Sequence, residues 1–243
     1  VYGPADIYKA YENARSSGFE NINLDLMYGL PGQTADNWRA DLEEAFSLGP
    51  EHLSLYQLSI DENTCFYRSF HEGALSIPEE DTIVDMDEIT LERCSSEGYE
   101  RYEISNFSRE GYECRHNLVY WENEHYLACG AGAVSFYDGV RAKNIEDPVE
   151  YCNRVQAQLG LTKASEELPQ SEAFRETVML GLRLIKGVSP RRLYRRFGLD
   201  LKTEYGPVLK ELIDQGVLVQ NLEYLRLTAT GLKLANRVMA QLI

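Results

Sequence analysis

Residues 21–34, with the sequence NINLDLMYGLPGQT, decide the fold of this chain. Ile22, Leu24 and Leu26 alternate with polar residues, which is the pattern of a half-buried β-strand. A segment with helical periodicity follows from Ala35. In α/β sheets and barrels, polar residues at the carboxyl ends of strands face the ligand crevice. The stretch therefore predicts a βα unit ending at a binding site; the simpler interpretation is a βα unit whose Asp25 only stabilises a loop.

Helical and strand patterns alternate through the first 107 residues. Helices are predicted up to residue 17, at 35–48 and at 79–97, with a short helix and turn within 64–75. Strands are predicted at 21–26, 52–58 and 100–104. This alternation favours parallel strands joined by right-handed crossovers. The predicted fold class is therefore α/β.

The rest of the chain is predicted to contain two further regions, one less regular and one mainly helical. Residues 108–160 contain glycine clusters, an aromatic-rich box and a helix at 148–159, and the polar stretch 162–167 is typical of a boundary. Beyond it we expect helices at 169–185, 190–197 and 203–215, a two-stranded ribbon at 217–227 and a final helix. That order is typical of a winged helix. The predicted division is 1–107, 108–160 and 161–243.

Charge and hydropathy narrow the classes of partner. Acidic residues outnumber basic ones by 39 to 24, which gives a formal net charge of −15. Such a charge disfavours binding to nucleic acid or to anionic membranes. No apolar run approaches the roughly 20 residues that cross a bilayer. We therefore expect a cytoplasmic protein with no nucleic-acid partner and no obligate membrane insertion.

One local basic patch stands out against this background. It consists of Arg191, Arg192, Arg195 and Arg196, which fall on neighbouring turns of the predicted helix 190–197. The favoured interpretation is a solvated or partner-facing helix. A contact to phosphate or carboxylate is the alternative.

The cysteines do not form a recognisable framework. They stand at positions 65, 94, 114, 129 and 152, an odd number without a CxxC pair. This spacing argues against both a disulfide framework and a local zinc site.

Several motifs, in order along the chain, resemble the HemN/HemW group of radical S-adenosylmethionine (SAM) proteins. They are DLMYGLPGQT at 25–34, LSLYQL at 53–58, YEISNF at 102–107, HNLVYW at 116–121 and GAGAVSF at 130–136. The resemblance implies the C-terminal part of a radical SAM, partial TIM-like barrel with parallel strands, followed by a HemN-type winged-helix-like domain. It also implies that the chain is part of a longer protein.

The resemblance further implies SAM and a [4Fe–4S] cluster as cofactors. Radical SAM proteins hold that cluster through three thiolates of a CxxxCxxC loop, which leaves the fourth iron open for SAM. No such loop occurs in these 243 residues. We therefore predict that the chain alone performs no radical chemistry.

The first group of candidate site residues follows the strand at 21–26. The resemblance implies that Asp25 contacts SAM, with Tyr28, Gly29 and Gln57 as further cofactor-binding candidates. A carboxylate can accept hydrogen bonds from ribose hydroxyls, and glycine allows close backbone approach.

The second group is the HNLVYW box, which resembles the box associated with haem binding in the HemW branch. His116 is the candidate haem-iron ligand, with Asn117, Tyr120 and Trp121 as further haem-binding residues. A neutral imidazole is a suitable axial ligand, and aromatic rings offer flat apolar surface to a porphyrin. His125 is interpreted as a bystander.

Three functions are weighed. The first is haem binding and delivery to haem-accepting proteins, as in a haem chaperone of the HemW branch. The second is the radical SAM reaction of an oxygen-independent coproporphyrinogen III dehydrogenase, which the box disfavours. The third is a degenerate interaction module that keeps the fold without either cofactor.

Overall fold

The computed structural model describes residues 3–242. The chain forms two compact units, one ending at Glu113 and the other starting at Cys114. Each unit is described by itself below. Within the described residues no helix is both long and apolar enough to cross a membrane.

The first unit is an α/β structure. Its elements in chain order are α1 (Pro4–Ser16), β1 (Asn23–Tyr28), α2 (Ala35–Leu48), β2 (His52–Gln57), α3 (Cys65–His71), α4 (Glu80–Ser96), β3 (Glu100–Arg101) and β4 (Asn106–Ser108). The sheet has the order β1-β2-β4-β3. β1 and β2 are parallel, as predicted, whereas β4 is antiparallel to both β2 and β3.

The prediction of parallel strands throughout was therefore wrong for the segment after α4. β3 has only two residues, and the chain returns immediately as β4. A reversal this short can only produce an antiparallel pair, since parallel strands need a long crossover connection.

The core of the first unit lies between the sheet and the helices α2 and α4. Trp38, Leu42 and Met86 are fully buried there with Leu53 of β2. α2 begins at Thr34, whose hydroxyl accepts a hydrogen bond from the backbone N–H of Asn37, and it ends at the left-handed Gly49. These caps explain why the helix has the predicted bounds.

The second unit combines a small sheet with helices. Its elements are α5 (Arg115–Trp121), β5 (Val134–Tyr137), β6 (Val140–Asn144), α6 (Pro148–Gln156), β7 (Thr162–Glu167), α7 (Gln170–Gly181), α8 (Pro190–Phe197), α9 (Leu201–Asp214), β8 (Leu218–Gln220), β9 (Leu225–Leu227), α10 (Ala229–Lys233) and α11 (Ala235–Met239). The strands β5, β6 and β7 form one antiparallel sheet, and β8 and β9 form an antiparallel ribbon.

Two parts of this unit differ from the sequence prediction. Residues 162–167, predicted as a polar boundary, form the strand β7. The HNLVYW box lies on the helix α5 rather than in irregular structure. Around α7, a separate core contains Phe174, whose ring packs edge-on against Phe197 with centroids 5.8 Å apart.

Candidate cofactor-binding sites

The sheet of the first unit has one apolar and one polar face at the amino half of β1, so Asp25 does not lie at the carboxyl end of the strand. The apolar face packs on α2 and α4 and carries Leu24, Leu26, Leu53 and Leu55. On the other face, Asn23 lies opposite His52 and Asp25 lies opposite Ser54 in the parallel register. Asp25 is exposed, whereas His52 and Ser54 are buried.

A continuous chain of hydrogen bonds runs across this polar face. The Asn23 amide donates through Nδ2 to Asp25 Oδ1 at 2.6 Å. His52 Nδ1 lies 2.6 Å from Asn23 Oδ1, and His52 Nε2 lies 2.7 Å from the Tyr102 hydroxyl. Ser54 also donates to Asn23 Oδ1, at 3.2 Å. We call the set Asp25, Asn23, His52 and Tyr102 the Asp25 network.

The Asp25 network fixes the tautomer of the histidine. A carboxylate only accepts hydrogen bonds, so the Asn23 amide must direct its nitrogen to Asp25 and its oxygen to His52. His52 Nδ1 therefore carries the proton, and Nε2 accepts from the Tyr102 hydroxyl. Burial lowers the pKa of His52, and the negative charge of Asp25 opposes this only in part. A neutral imidazole is consistent with both the hydrogen-bond pattern and the lowered pKa of His52.

Sequence reasoning missed His52 because its partners are distant in the chain. Asn23 is 29 residues away and Tyr102 is 50 residues away. No local spacing signals such a contact, and only the strand register brings the three side chains together.

The structure does not bring the Tyr28 side chain to the polar face. Its ring packs against Trp38 in the core, with centroids 5.2 Å apart. Burial raises the pKa of the Tyr28 phenol to about 12. Gln57 lies opposite Tyr28 in the register and is exposed at the end of β2.

Gly29 is favoured by its backbone conformation, because its φ of +77° lies in the left-handed region. A Cβ at this position would also lie 2.8 Å from Ile83 Cδ1 of α4, although that methyl group can move. The glycine thus lets the chain turn out of β1. This conformation accounts for Gly29 without a ligand.

In the second unit, α5 presents His116 and Tyr120 on one face. His116 is exposed, and its ring meets the Tyr120 ring edge-on with centroids 4.8 Å apart. The Tyr120 ring in turn meets that of Tyr126, with centroids 4.6 Å apart. An antiparallel bridge between Tyr126 and Phe136 joins this segment to β5. An accessible imidazole therefore ends a row of aromatic rings, which we call the aromatic row.

Trp121 belongs to a different environment from His116. The Arg183 guanidinium lies over its indole ring, 4.8 Å from the centroid. Its Nε1 is buried and has no hydrogen-bond acceptor among residues 3–242. Asn117 precedes Trp121 by four residues and so shares its side of the helix. The HNLVYW box is thus divided between two sides of α5.

Neither the other histidine nearby nor the cysteines form a metal cluster. His125 packs on Tyr137 with ring centroids 5.0 Å apart. None of the five cysteines forms a disulfide bond within residues 3–242. Across residues 3–242, His, Cys, Asp and Glu side chains form no group of three or more that could hold a metal ion. A haem iron needs only one protein ligand here, so that result leaves His116 as a candidate.

Comparison with known proteins first defines the class. The family described as HemN C-terminal domain matches residues 168–234. The solved structure of coproporphyrinogen III oxidase (HemN) from Escherichia coli, described as a radical SAM enzyme, superposes with a TM-score of 0.79. That match covers 100% of this chain and 59% of the other, at 19% identity, and so establishes the fold.

The curated relatives that match this chain are named as HemW proteins. The "Heme chaperone HemW" of Bacillus subtilis is 37% identical over 98% of this chain and 63% of that protein. The proteins of the same name from Lactococcus lactis and Escherichia coli are 33% and 31% identical, each over 98% of this chain and 62% of their own length. The chain thus spans a little over 60% of these relatives. The predicted resemblance to the HemN/HemW group is confirmed.

Proposed function

We propose that this chain is the C-terminal part of a haem-binding protein of the HemW branch, which passes haem to acceptor proteins. The observation that carries the proposal is the exposed imidazole of His116 at the end of the aromatic row. The names of the curated relatives support the same function.

The residues on this face of α5 suit a porphyrin. The edge-on contact with Tyr120 orients the His116 ring, and the exposed side chain is accessible to a ligand. Haem bound here would supply an iron that accepts one imidazole nitrogen. Tyr120 would offer apolar ring surface and a hydroxyl. In this proposal Trp121 and Asn117 act through the position of α5, since Trp121 packs under Arg183.

A haem titration followed at the Soret band tests the proposal. We expect the wild-type chain to shift the Soret band and His116→Ala to lose the shift. His125→Ala is the matched control, because it removes another exposed imidazole that packs on an aromatic ring in the same unit. If His116→Ala gives the wild-type spectrum, His116 is not the ligand and the proposal fails.

We propose in addition that Asp25 contacts SAM in the longer protein. Asn23 occupies one oxygen of the exposed carboxylate, so further lone pairs can accept hydrogen bonds from a ligand. SAM and a [4Fe–4S] cluster would supply radical chemistry, with the cluster held by a segment outside these residues. Gln57 and the backbone at Gly29 are secondary candidates. We expect the chain alone not to cleave SAM, and anaerobic detection of 5′-deoxyadenosine is the measurement.

We propose the same domain assignment that the sequence suggested. The proposed parts are a part of a radical SAM barrel at 1–107, a connecting region at 108–160 and a winged-helix-like domain at 161–243, whose first strand, β7, pairs with β6 of the connecting region. Three helices and the ribbon β8–β9 support the last assignment. A cytoplasmic location and a docking role for the final domain belong to this proposal.

The second candidate function is coproporphyrinogen III oxidase-like radical chemistry. The fold match to the Escherichia coli HemN structure favours it. Anaerobic assay of the longer protein separates the two, because porphyrinogen decarboxylation would favour the enzyme. If neither haem binding nor decarboxylation is found, the interaction module is favoured.

A further inference from the structure

The second unit contains a cavity to which none of the proposed cofactors is assigned. Its volume is about 260 Å³, and it lies between the end of α5, the turn after α7 and the helix α8. Trp121 forms one wall, and Arg192, Arg195 and Arg196 of α8 form another. This cavity takes in most of the basic patch that stood out in the sequence.

Cationic side chains outnumber carboxylates in the lining of the cavity by four to one. Lys186 is the fourth cation, and Glu122 is the one carboxylate among the lining residues. Lys186 Nζ lies 2.8 Å from Glu122 Oε1, and Arg192 Nη1 lies 3.2 Å from Glu122 Oε2. Arg192 also pairs with Glu124 at 2.5 Å. One carboxylate is thus shared by two cations, and a second reaches Arg192 from outside the cavity.

Arg195 and Arg196 differ from these paired cations. Among residues 3–242, neither has a carboxylate within 4.0 Å. Partial burial of the Arg196 guanidinium lowers its pKa, the charge of Glu124 opposes this, Arg192 lowers the pKa further, and Glu176 opposes it weakly. Two guanidinium groups on adjacent positions of one helix therefore bring positive charge to a cavity, in a chain whose net charge is −15.

Other groups around the cavity can also donate hydrogen bonds. Ser189 lines it as the N-cap residue of α8, and its side chain makes no capping hydrogen bond. The amino end of a helix favours negative charge. Trp121 lines the other wall, and its indole Nε1 has no acceptor within the described part of the chain. A site that combines guanidinium, hydroxyl and helix-terminal donors suits an oxygen-rich anion.

We propose that this cavity binds a small oxyanion, a carboxylate or a phosphate, through Arg195 and Arg196. Its volume lies just below the roughly 300–1,000 Å³ of typical ligand pockets, which indicates a small metabolite. The ligand would balance the two arginines, which form no ion pair with a carboxylate of residues 3–242.

Isothermal titration of the full chain with inorganic phosphate and, separately, with citrate tests the proposal. Sodium chloride at the same ionic strength is the reference, because it screens charge without bidentate hydrogen bonding. We expect at least one of the two anions to bind. Binding of phosphate alone indicates a phosphate ligand, binding of citrate alone indicates a carboxylate, and binding of both indicates the shared oxyanion chemistry.

Single charge removals locate the site. Arg195→Gln and Arg196→Gln should each raise the Kd about tenfold or more, the usual effect of losing a hydrogen bond to a charged group. Arg191→Gln is the matched control, since Arg191 is on the same helix but does not line the cavity. All three side chains are exposed, so the variants should fold, and circular dichroism checks this.

Tryptophan fluorescence tests independently whether the anion binds in this cavity. The chain has two tryptophans, and Trp121 lines the cavity while Trp38 is fully buried in the first unit. Anion binding should change the emission, and Trp121→Phe should remove that change. The proposal is overturned if neither anion binds beyond the chloride reference, or if Arg191→Gln weakens binding as much as Arg195→Gln and Arg196→Gln. The haem test at His116 is independent of either result.

Discussion

Replacing Asn23 by alanine tests the Asp25 network most directly. Asn23 Oδ1 accepts hydrogen bonds from His52 Nδ1 at 2.6 Å and from the Ser54 hydroxyl at 3.2 Å. His52 is only 4% exposed and Ser54 only 3%. Asn23→Ala therefore leaves two buried donors without their acceptor, and it frees Asp25 from its amide partner.

The expected loss of stability follows from these contacts. A buried donor without a partner costs about 1–3 kcal/mol. The Ser54 hydroxyl can rotate toward another acceptor, whereas the imidazole N–H of His52 is fixed by its bond to Tyr102. Only the Nδ1–H of His52 is therefore left without an acceptor, and we expect the free energy of unfolding to fall by about 2 kcal/mol. For an m-value of about 2 kcal/mol/M, the urea midpoint should fall by about 1 M.

Urea unfolding followed by tryptophan fluorescence measures this loss, because Trp38 lies in the core of the same unit. The matched control is Asn21→Ala, which makes the same change two residues earlier at an exposed position before β1. The control should unfold near the wild-type midpoint. Equal midpoints for Asn23→Ala and Asn21→Ala would refute the energetic role of the Asp25 network.

Two further predictions concern stability. Because burial lowers the folded pKa of His52 below its ordinary 6.5, the unfolded chain binds the proton first as the pH falls. The free energy of unfolding should thus decrease as the pH falls from 6.5 through the folded pKa. Urea titrations across this range should show that the free energy of unfolding depends less on pH in His52→Gln than in the wild type. An equal pH dependence in both proteins would contradict the lowered pKa of His52. Gly231→Ala should destabilise the second unit by about 3 kcal/mol, because its Cβ would lie 1.9 Å from the Val217 carbonyl oxygen. Gly160→Ala, with nothing within 4 Å of the new Cβ, is the control in thermal unfolding, and equal losses would argue against the clash.

Periodicity predicted the helices of this chain better than its sheets. The helices 35–48 and 190–197 have the predicted bounds, because a left-handed glycine ends each of them and Pro190 begins the second. β7 was missed because its sequence TKASEE has no apolar alternation and all six residues are exposed. Its pairing with β6 comes from backbone hydrogen bonds, which the side-chain pattern does not record.

Side-chain direction in β1 could have been read from the sequence. Residues two apart in a strand face the same side, so Tyr28 belongs with Leu24 and Leu26 rather than with Asp25. The same spacing puts Gln57 on the side of Leu53 and Leu55. For α5, helical spacing separates His116 from Trp121 once the segment is known to be a helix.

The polar strand β7 also has a consequence for how this chain behaves among its copies. It is an outer strand of its sheet, where unpaired backbone groups could template the addition of a strand from another molecule. Lys163, Glu166 and Glu167 line that outer strand, and the first two already hold ion pairs with Glu146 and Arg141. An incoming strand would have to bury these charges, which natural sheets use to discourage aggregation. The charged residues of β7, which showed no strand pattern in the sequence, thus disfavour the addition of a strand from another copy of the chain.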